Sequence, residues 1–297
     1  FDKDEEVYVV VTPSDDYETG AAVSSDSIII SNTAPTAPQV SIVQNEGTCS
    51  ALELDGANDY VEFDHSPEFN LGSSDFTIEA WAQLDASTSS NQWLLAYRDI
   101  SGSEGCGGVH CHYELGYQPS TGLGLYLRND GVTGHQYLTT TLPGSATWFH
   151  IAAVRSGSDI EVYIDGTQVA SGTFSGSLVD ITDALYIGSE GGTRQFWEGA
   201  VGPVRISSIA RYSGGFTPDE TFVSDSDTVA LWGFTEGSGT TVADEGPSGL
   251  DGTIGDGTWI EDCPSGESAG SLVCGIVIES TDADEDAIYQ RVENGND

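Results

Sequence analysis

Asp282-Ala-Asp284-Glu-Asp286-Ala-Ile288-Tyr-Gln-Arg-Val-Glu293 spaces its oxygen donors as a hard cation requires. Carboxylates fill the first, third and fifth positions, Ile288 offers its carbonyl at the seventh, and Glu293 stands at the twelfth as a bidentate ligand. The expected ion is calcium. Two features oppose it: position six is Ala287 where the sharp turn wants glycine, and the preceding Gly275-Ile-Val-Ile-Glu is β-prone rather than helical. A solvated acidic tail is the alternative. Cys106-Gly-Gly-Val-His-Cys111-His112 is a second chemical cluster, but it lacks the C-x-x-C and H-x(3–5)-H spacing of zinc sites. In an acidic chain with few cysteines it reads as a small Cys106–Cys111 disulfide loop of an oxidising exterior, with metal binding through His112 as the alternative. His-Glu-x-x-His and P-loop patterns are absent. The chain is therefore read as non-catalytic.

The elements that must carry these residues are strands. Glycine is abundant at 37, methionine is absent, and Val, Ile, Thr, Tyr and Trp dominate short apolar runs separated by turn residues. In Phe76-Thr-Ile-Glu-Ala-Trp-Ala, residues 76, 78 and 80 alternate with 77, 79 and 81, giving one strand two distinct faces. Further runs recur at 92–97, 112–116, 124–128, 137–140, 185–188, 200–206 and 229–234. Asp165-Gly166 joins Glu161-Val-Tyr-Ile to Thr167-Gln-Val-Ala and predicts a type I′ hairpin, with Asp165 structural. Ser207 to Tyr212 is expected to form a short helical turn.

Against 48 acidic side chains the chain sets 8 basic ones, for a formal net charge of -40. Nucleic acid and anionic membrane, both polyanions, are excluded as partners by that balance. Most carboxylates are expected to form a solvated face. No run approaches the ~20 apolar residues of a bilayer span, so membrane insertion is not expected. With neither an initiator methionine nor a signal peptide, the sequence reads as a piece of something longer.

Ala51-Leu-Glu-Leu-Asp-Gly-Ala-Asn-Asp-Tyr-Val-Glu-Phe63, followed by the 76–82 run, Trp148-Phe-His-Ile-Ala-Ala-Val-Arg155 and Ile160-Glu-Val-Tyr-Ile-Asp-Gly, resembles the laminin-G-like branch of the concanavalin A-like jelly rolls. The resemblance implies an all-β fold of two antiparallel sheets, set between 40 and 263. Residues 1–32 resemble the last hairpin of an immunoglobulin- or fibronectin III-like sandwich, 33–39 form a proline-containing linker, and 264–297 an acidic tail.

The family implies further expectations. A structural calcium often ties its first strands to its last, which nominates Asp244 and, more weakly, Asp55 and Asp59; the alternative is that these side chains only accept turn amides. Because the ends of the fold lie side by side, Cys49 and Cys263 are expected to form a disulfide, with a closure effect of roughly 4–5 kcal/mol. Cys274 then pairs with Cys263 instead, stays free or links to another chain. The glucanase branch aims three acids into a cleft with Glu-x-Asp-x-(x)-Glu; Glu62-Phe-Asp64-His-Ser-Pro-Glu68 is one residue too long and broken by proline. Most tryptophans belong to the core, while Trp197, beside Arg194 after a Gly-rich loop, is a candidate ligand rim. The implied role is adhesion or assembly at an extracellular or cell surface, with copies of itself or neighbouring domains as partners. Separately, the partnerless apolar strands at 6–12 and 27–31 and the leftover β-prone 271–280 run suggest a filament built by strand exchange between copies. The alternative is a carbohydrate-binding module of a secreted polysaccharide-processing protein, with glycan as partner.

Overall fold

The computed structural model describes residues 6–12, 21–25, 28–29, 39–44, 50–85, 89–100, 112–128, 135–264, 274–281 and 287–288. Contacts divide the chain into two units, Gly47–Gly270 and the combination of Phe1–Glu46 with Ser271–Asp297. Strands are numbered below in chain order.

Gly47–Gly270 is a two-sheet antiparallel sandwich. The front sheet runs, in spatial order, β12 (His135–Thr139), β11 (Gly122–Arg128), β10 (His112–Gln118), β9 (Gln92–Arg98), β16 (Leu185–Ile187), β7 (Tyr60–Phe63), β20 (Gly252–Asp256) and β19 (Thr241–Val242). The back sheet runs β15 (Thr167–Thr173), β14 (Asp159–Ile164), β13 (Phe149–Ser156), β8 (Phe76–Ala82), β17 (Glu198–Ser207), β6 (Ala51–Asp55) and β21 (Thr258–Ile260), with β18 (Thr228–Trp232) also on β17. Every strand expected from the alternating runs of this region is present.

Alternation sorts the side chains. Phe76, Ile78 and Ala80 of β8 enter the core with Ile151 and Ala153 of β13, and Val61, Phe63, Leu115 and Leu125 meet them from the front sheet. Each large apolar side chain buried in this way stabilises by roughly 1.5–3 kcal/mol. Trp232 lies 4.1 Å from Phe63 between ring centroids, so the late strand β18 packs on the early strand β7.

Local chemistry closes the connections. Asp165 and Gly166 take φ of 49° and 69°, the left-handed pair of a type I′ turn, and the Asp165 carboxylate accepts the His150 amide at 2.9 Å. Arg155, at the end of β13, donates to the carbonyls of Gly157 (2.9 Å), Gly72 (3.1 Å) and Gly176 (2.8 Å), pinning separate loops with one guanidinium. The helical turn expected at Ser207–Tyr212 does not form. β17 extends to Ser207 and bends follow, because Tyr212 turns to the Glu79 carboxylate and the Arg211 amide donates to the Thr77 hydroxyl. Among the described residues the helical segment is a 3-10 turn at Pro67–Phe69.

The other unit is built from both ends of the sequence. β1 (Glu6–Val7) pairs antiparallel with β4 (Ile28–Ile29), and β2 (Val10–Val11) with β3 (Val23–Ser24), which lies in the expected connection; the immunoglobulin-like reading of this part is not confirmed. β5 (Gln39–Gln44) falls at the boundary drawn between linker and jelly roll. It joins neither large sheet, pairing antiparallel with β22 (Cys274–Thr281), whose Ser280 and Thr281 pair with β23 (Ala287–Ile288). Two apolar strands with unpaired backbone groups satisfy each other. The C-terminal strand is paired within its own chain, and nothing in the structure supports its exchange between copies.

Candidate functional site

The front sheet has an outer face that the sandwich core does not cover. Trp93 and Ala96 of β9 and Tyr126 of β11 form a small apolar cluster there with Leu138, apart from the main core. Trp93 meets Tyr126 edge-on at 4.8 Å and donates its indole N–H to the Gln195 side chain. In the same register His112 of β10 stands between Arg98 of β9 and Arg128 of β11, which sets the two arginines on one row across three strands.

Glu114, two residues along β10, accepts from Arg98 Nη1 at 3.2 Å and is 1% exposed. Glu190 lies in the loop after β16 and holds two guanidiniums with one oxygen. Its Oε1 is in ion contact with Arg98 Nε at 3.1 Å and accepts from Arg194 Nη2. Among the described residues its Oε2 accepts no hydrogen bond, and Arg128 Nε donates none. Burial pushes the Glu114 carboxyl up to about 7, with the Glu190 charge adding to that and the Arg98 and Arg128 charges opposing it. Beside this cluster Tyr186 of β16 and Tyr60 of β7 meet edge-on at 5.8 Å, both partly exposed. Gly192 and Gly255 lie against these rings, where a Cβ would come within 3.2 Å and 2.3 Å of Tyr60 Cζ.

The back sheet carries a different polar group on its outer face. Glu79 of β8, fully buried, accepts from Arg205 Nε at 2.8 Å and Tyr212 Oη at 2.7 Å and contacts His150 Nε2 at 3.1 Å. Burial pushes its carboxyl up, but the bonds from His150 and Tyr212 and the Arg205 charge outweigh that and leave it below the ordinary value. Phe216 and Phe222 close around the His150 ring. This is a sealed internal ion pair that holds the 208–222 segment on the sheet.

The Laminin_G_3 family model, of the concanavalin A-like lectin/glucanases superfamily, matches residues 55–214, over half of the sequence. The chain belongs to this superfamily. No curated protein sequence matches the chain. Among solved structures, a "putative carbohydrate binding protein" from Bacteroides ovatus aligns with TM-score 0.50 and 17% identity over 71% of this chain and 59% of that one. A heptameric SAP-like pentraxin from Limulus polyphemus aligns with TM-score 0.40 and 11% identity, over 56% of this chain and 78% of that one. A sialidase CBM40 from Ruminococcus gnavus, bound to α2,3-sialyllactose, gives 0.42 and 15%, over 56% and 95%. The chain spans 59% of the length of the first of these.

Within this concanavalin A-like fold the nominated metal residues have other work. Asp244 accepts the amides of Leu231 (2.9 Å), Gly246 (2.8 Å) and Leu250 (2.9 Å), and its own amide donates to Asp251 at 2.8 Å. A carboxylate ringed by N–H donors does not fit calcium, which needs converging oxygens. Asp55 accepts the Ala57 amide and donates its own amide to Asp59, both at 2.8 Å; burial pushes the Asp59 carboxyl up. The alternative of turn amides therefore describes Asp244, Asp55 and Asp59. Among the described residues no three His, Cys, Asp or Glu side chains gather as a metal site. Asp282, Asp284, Asp286 and Glu293 lie outside the described residues, and Ile288 lies in β23, entered from a strand.

Trp197 is not a rim residue. It is fully buried in the core, its indole donating to the Gln83 carbonyl at 2.9 Å, while Arg194 is half exposed on Glu190. Trp81 and Trp148, expected in the core, are partly exposed. Cys263 is disulfide-bonded. The sulfur it joins, like Cys49, Cys106 and Cys111, lies outside what is described. A Gly-x-Ser-x-Gly spacing, Gly266-Glu-Ser268-Ala-Gly270, lies outside the described residues. The Arg98–Glu114–Arg128 cluster escaped sequence reasoning, although the scarcity of basic residues was a usable signal.

Proposed function

We propose that the jelly roll is a carbohydrate-binding module of a secreted protein that acts on or attaches to polysaccharide, and that it binds without chemistry. The observation that carries this reading is the outer face of the front sheet, where the partly exposed rings of Tyr60 and Tyr186 flank a group of arginines. Aromatic faces present apolar C–H surface to a sugar ring, while charged side chains fix its hydroxyls. The glycines against the tyrosines keep other side chains off that surface. Membership of a lectin-containing superfamily, and the carbohydrate-binding description of the Bacteroides ovatus protein, support the same reading. Glu114 and Glu190 are buried and committed to arginines, which favours binding over acid catalysis. Extracellular placement belongs to the proposal; among the described residues no helix is long and apolar enough to cross a membrane.

The test is a glycan array with the purified chain, followed by calorimetry on the best ligand. Tyr186→Ala is expected to weaken binding at least tenfold with an unchanged melting temperature. Hydrolysis of the bound glycan by the chain, lost on changing one carboxylate, would refute the non-catalytic part.

A further inference from the structure

Resting on the glycan-binding reading above, we infer that the ligand is an acidic glycan whose carboxylate or sulfate is received by Arg98, Arg128 and Arg194 on the front sheet.

The argument begins with the distribution of positive charge. The whole sequence has 8 basic side chains against 48 acidic ones. Two of the eight, Arg98 and Arg128, stand on one row of the front sheet, and Arg194 joins them from the loop after β16, where random placement in so acidic a chain would scatter them. The other described arginines are each used up structurally. Arg155 is buried on loop carbonyls, Arg205 on Glu79, and Arg211 donates with two nitrogens to Asp225 at 2.8 and 2.7 Å.

The front-sheet group is different because, among the described residues, three guanidiniums share two buried carboxylates, while Glu62 is hydrogen-bonded to Tyr186 instead. Three guanidiniums face Glu114 and Glu190, and one oxygen of Glu190 serves both Arg98 and Arg194. Arg194 keeps 51% of its side chain exposed and Arg98 keeps 16%, so the guanidiniums reach the surface above buried acids. Glu114 and Glu190, each 1% exposed, are positioning residues: they hold the arginine stems without filling all the donors. Arginine's planar fork matches carboxylate and sulfate oxygens in pairs. Tyr60 and Tyr186, next to the cluster, provide the ring contact that a free inorganic anion could not use.

The net charge of -40 does not forbid this. At physiological salt the Debye length is about 8 Å, so a ligand seated on the cluster is shielded from carboxylates on distant surfaces. Glu62 and Asp183 beside Tyr186 are near, so the acidic group must seat on the arginine side of the tyrosines.

The experiment compares affinity electrophoresis and calorimetry of the full chain with oligogalacturonate, chondroitin sulfate and neutral dextran and xylan, at fixed ionic strength. The expected result is binding to the uronate or the sulfated chain and none to neutral ones, which also identifies the anionic group. Arg128→Gln with Arg194→Gln should reduce that binding at least tenfold, and Arg194→Lys should recover only part of it. Both variants should keep the parent melting temperature; if the double variant does not, Arg194→Gln alone carries the comparison. Acid-glycan binding that survives these changes overturns the inference. Binding to a neutral glycan that is lost in Tyr186→Ala overturns it too, while leaving the glycan-binding reading intact. Binding to no glycan removes both.

Discussion

Glu114 stands out among single residues because its environment raises its carboxyl to about 7. An acid whose folded value lies above its unfolded one gives stability that is present below about pH 4.5 and lost as pH rises through about 7. Replacement by glutamine removes that loss. Urea unfolding should show Glu114→Gln gaining on the parent by about 3 kcal/mol between pH 4 and pH 8; a pH-independent difference would contradict this account. Asp244 makes a separate prediction. Losing the acceptor of three amides, Asp244→Ala should cost about 2–4 kcal/mol, and the same cost should be measured in calcium and in a chelator. A cost that appears only in calcium would restore the ion to Asp244. Both residues show how far a side chain can be read from sequence. Family motifs located Asp244, but not that three amides converge on it. Trp197 looked exposed because its loop is polar, yet its indole finds a carbonyl inside the sandwich.

At the level of elements the sequence was far more legible. Period-two alternation and turn residues mark the jelly-roll strands up to β18, because a half-buried strand must place its apolar side chains at every second position, whereas the short β19, β20 and β21 went unread. Asp165-Gly166 was readable for the same local reason. Gly166→Ala tests it: an added Cβ would lie 1.7 Å from the Phe216 carbonyl oxygen, at φ of 69°. The expected cost is about 2 kcal/mol or more, with faster protease cleavage in the 208–222 segment than in the parent. Cleavage at the parent rate would mean that the turn does not hold that segment. What local pattern cannot encode is long-range partnership. Ser207–Tyr212 has helical propensity, but Thr77 and Glu79, far away in sequence, claim its backbone and its tyrosine. Arg98, Arg128 and Glu190 likewise come together only through strand order.

The whole molecule is organised by where the jelly roll begins and ends. Ala51 of β6 pairs with Ile260 of β21, so the chain enters and leaves these strands at the same end of one ladder. Peptide mapping without reductant should therefore recover Cys49 joined to Cys263, and reduction should lower stability by roughly 5 kcal/mol; a Cys263–Cys274 peptide would overturn the pairing. The same geometry governs how the module bears a pull. Traction applied across residues 50 and 261 would peel β6 from β21 one hydrogen bond after another, a zipper direction that resists little, whereas strands dragged lengthwise share the load. A disulfide at the mouth of that zipper diverts tension past the fold. A tethered protein gripping a polymer in moving fluid would then stay folded while oxidised. In optical tweezers the jelly roll should lengthen at low force only after a reductant is added.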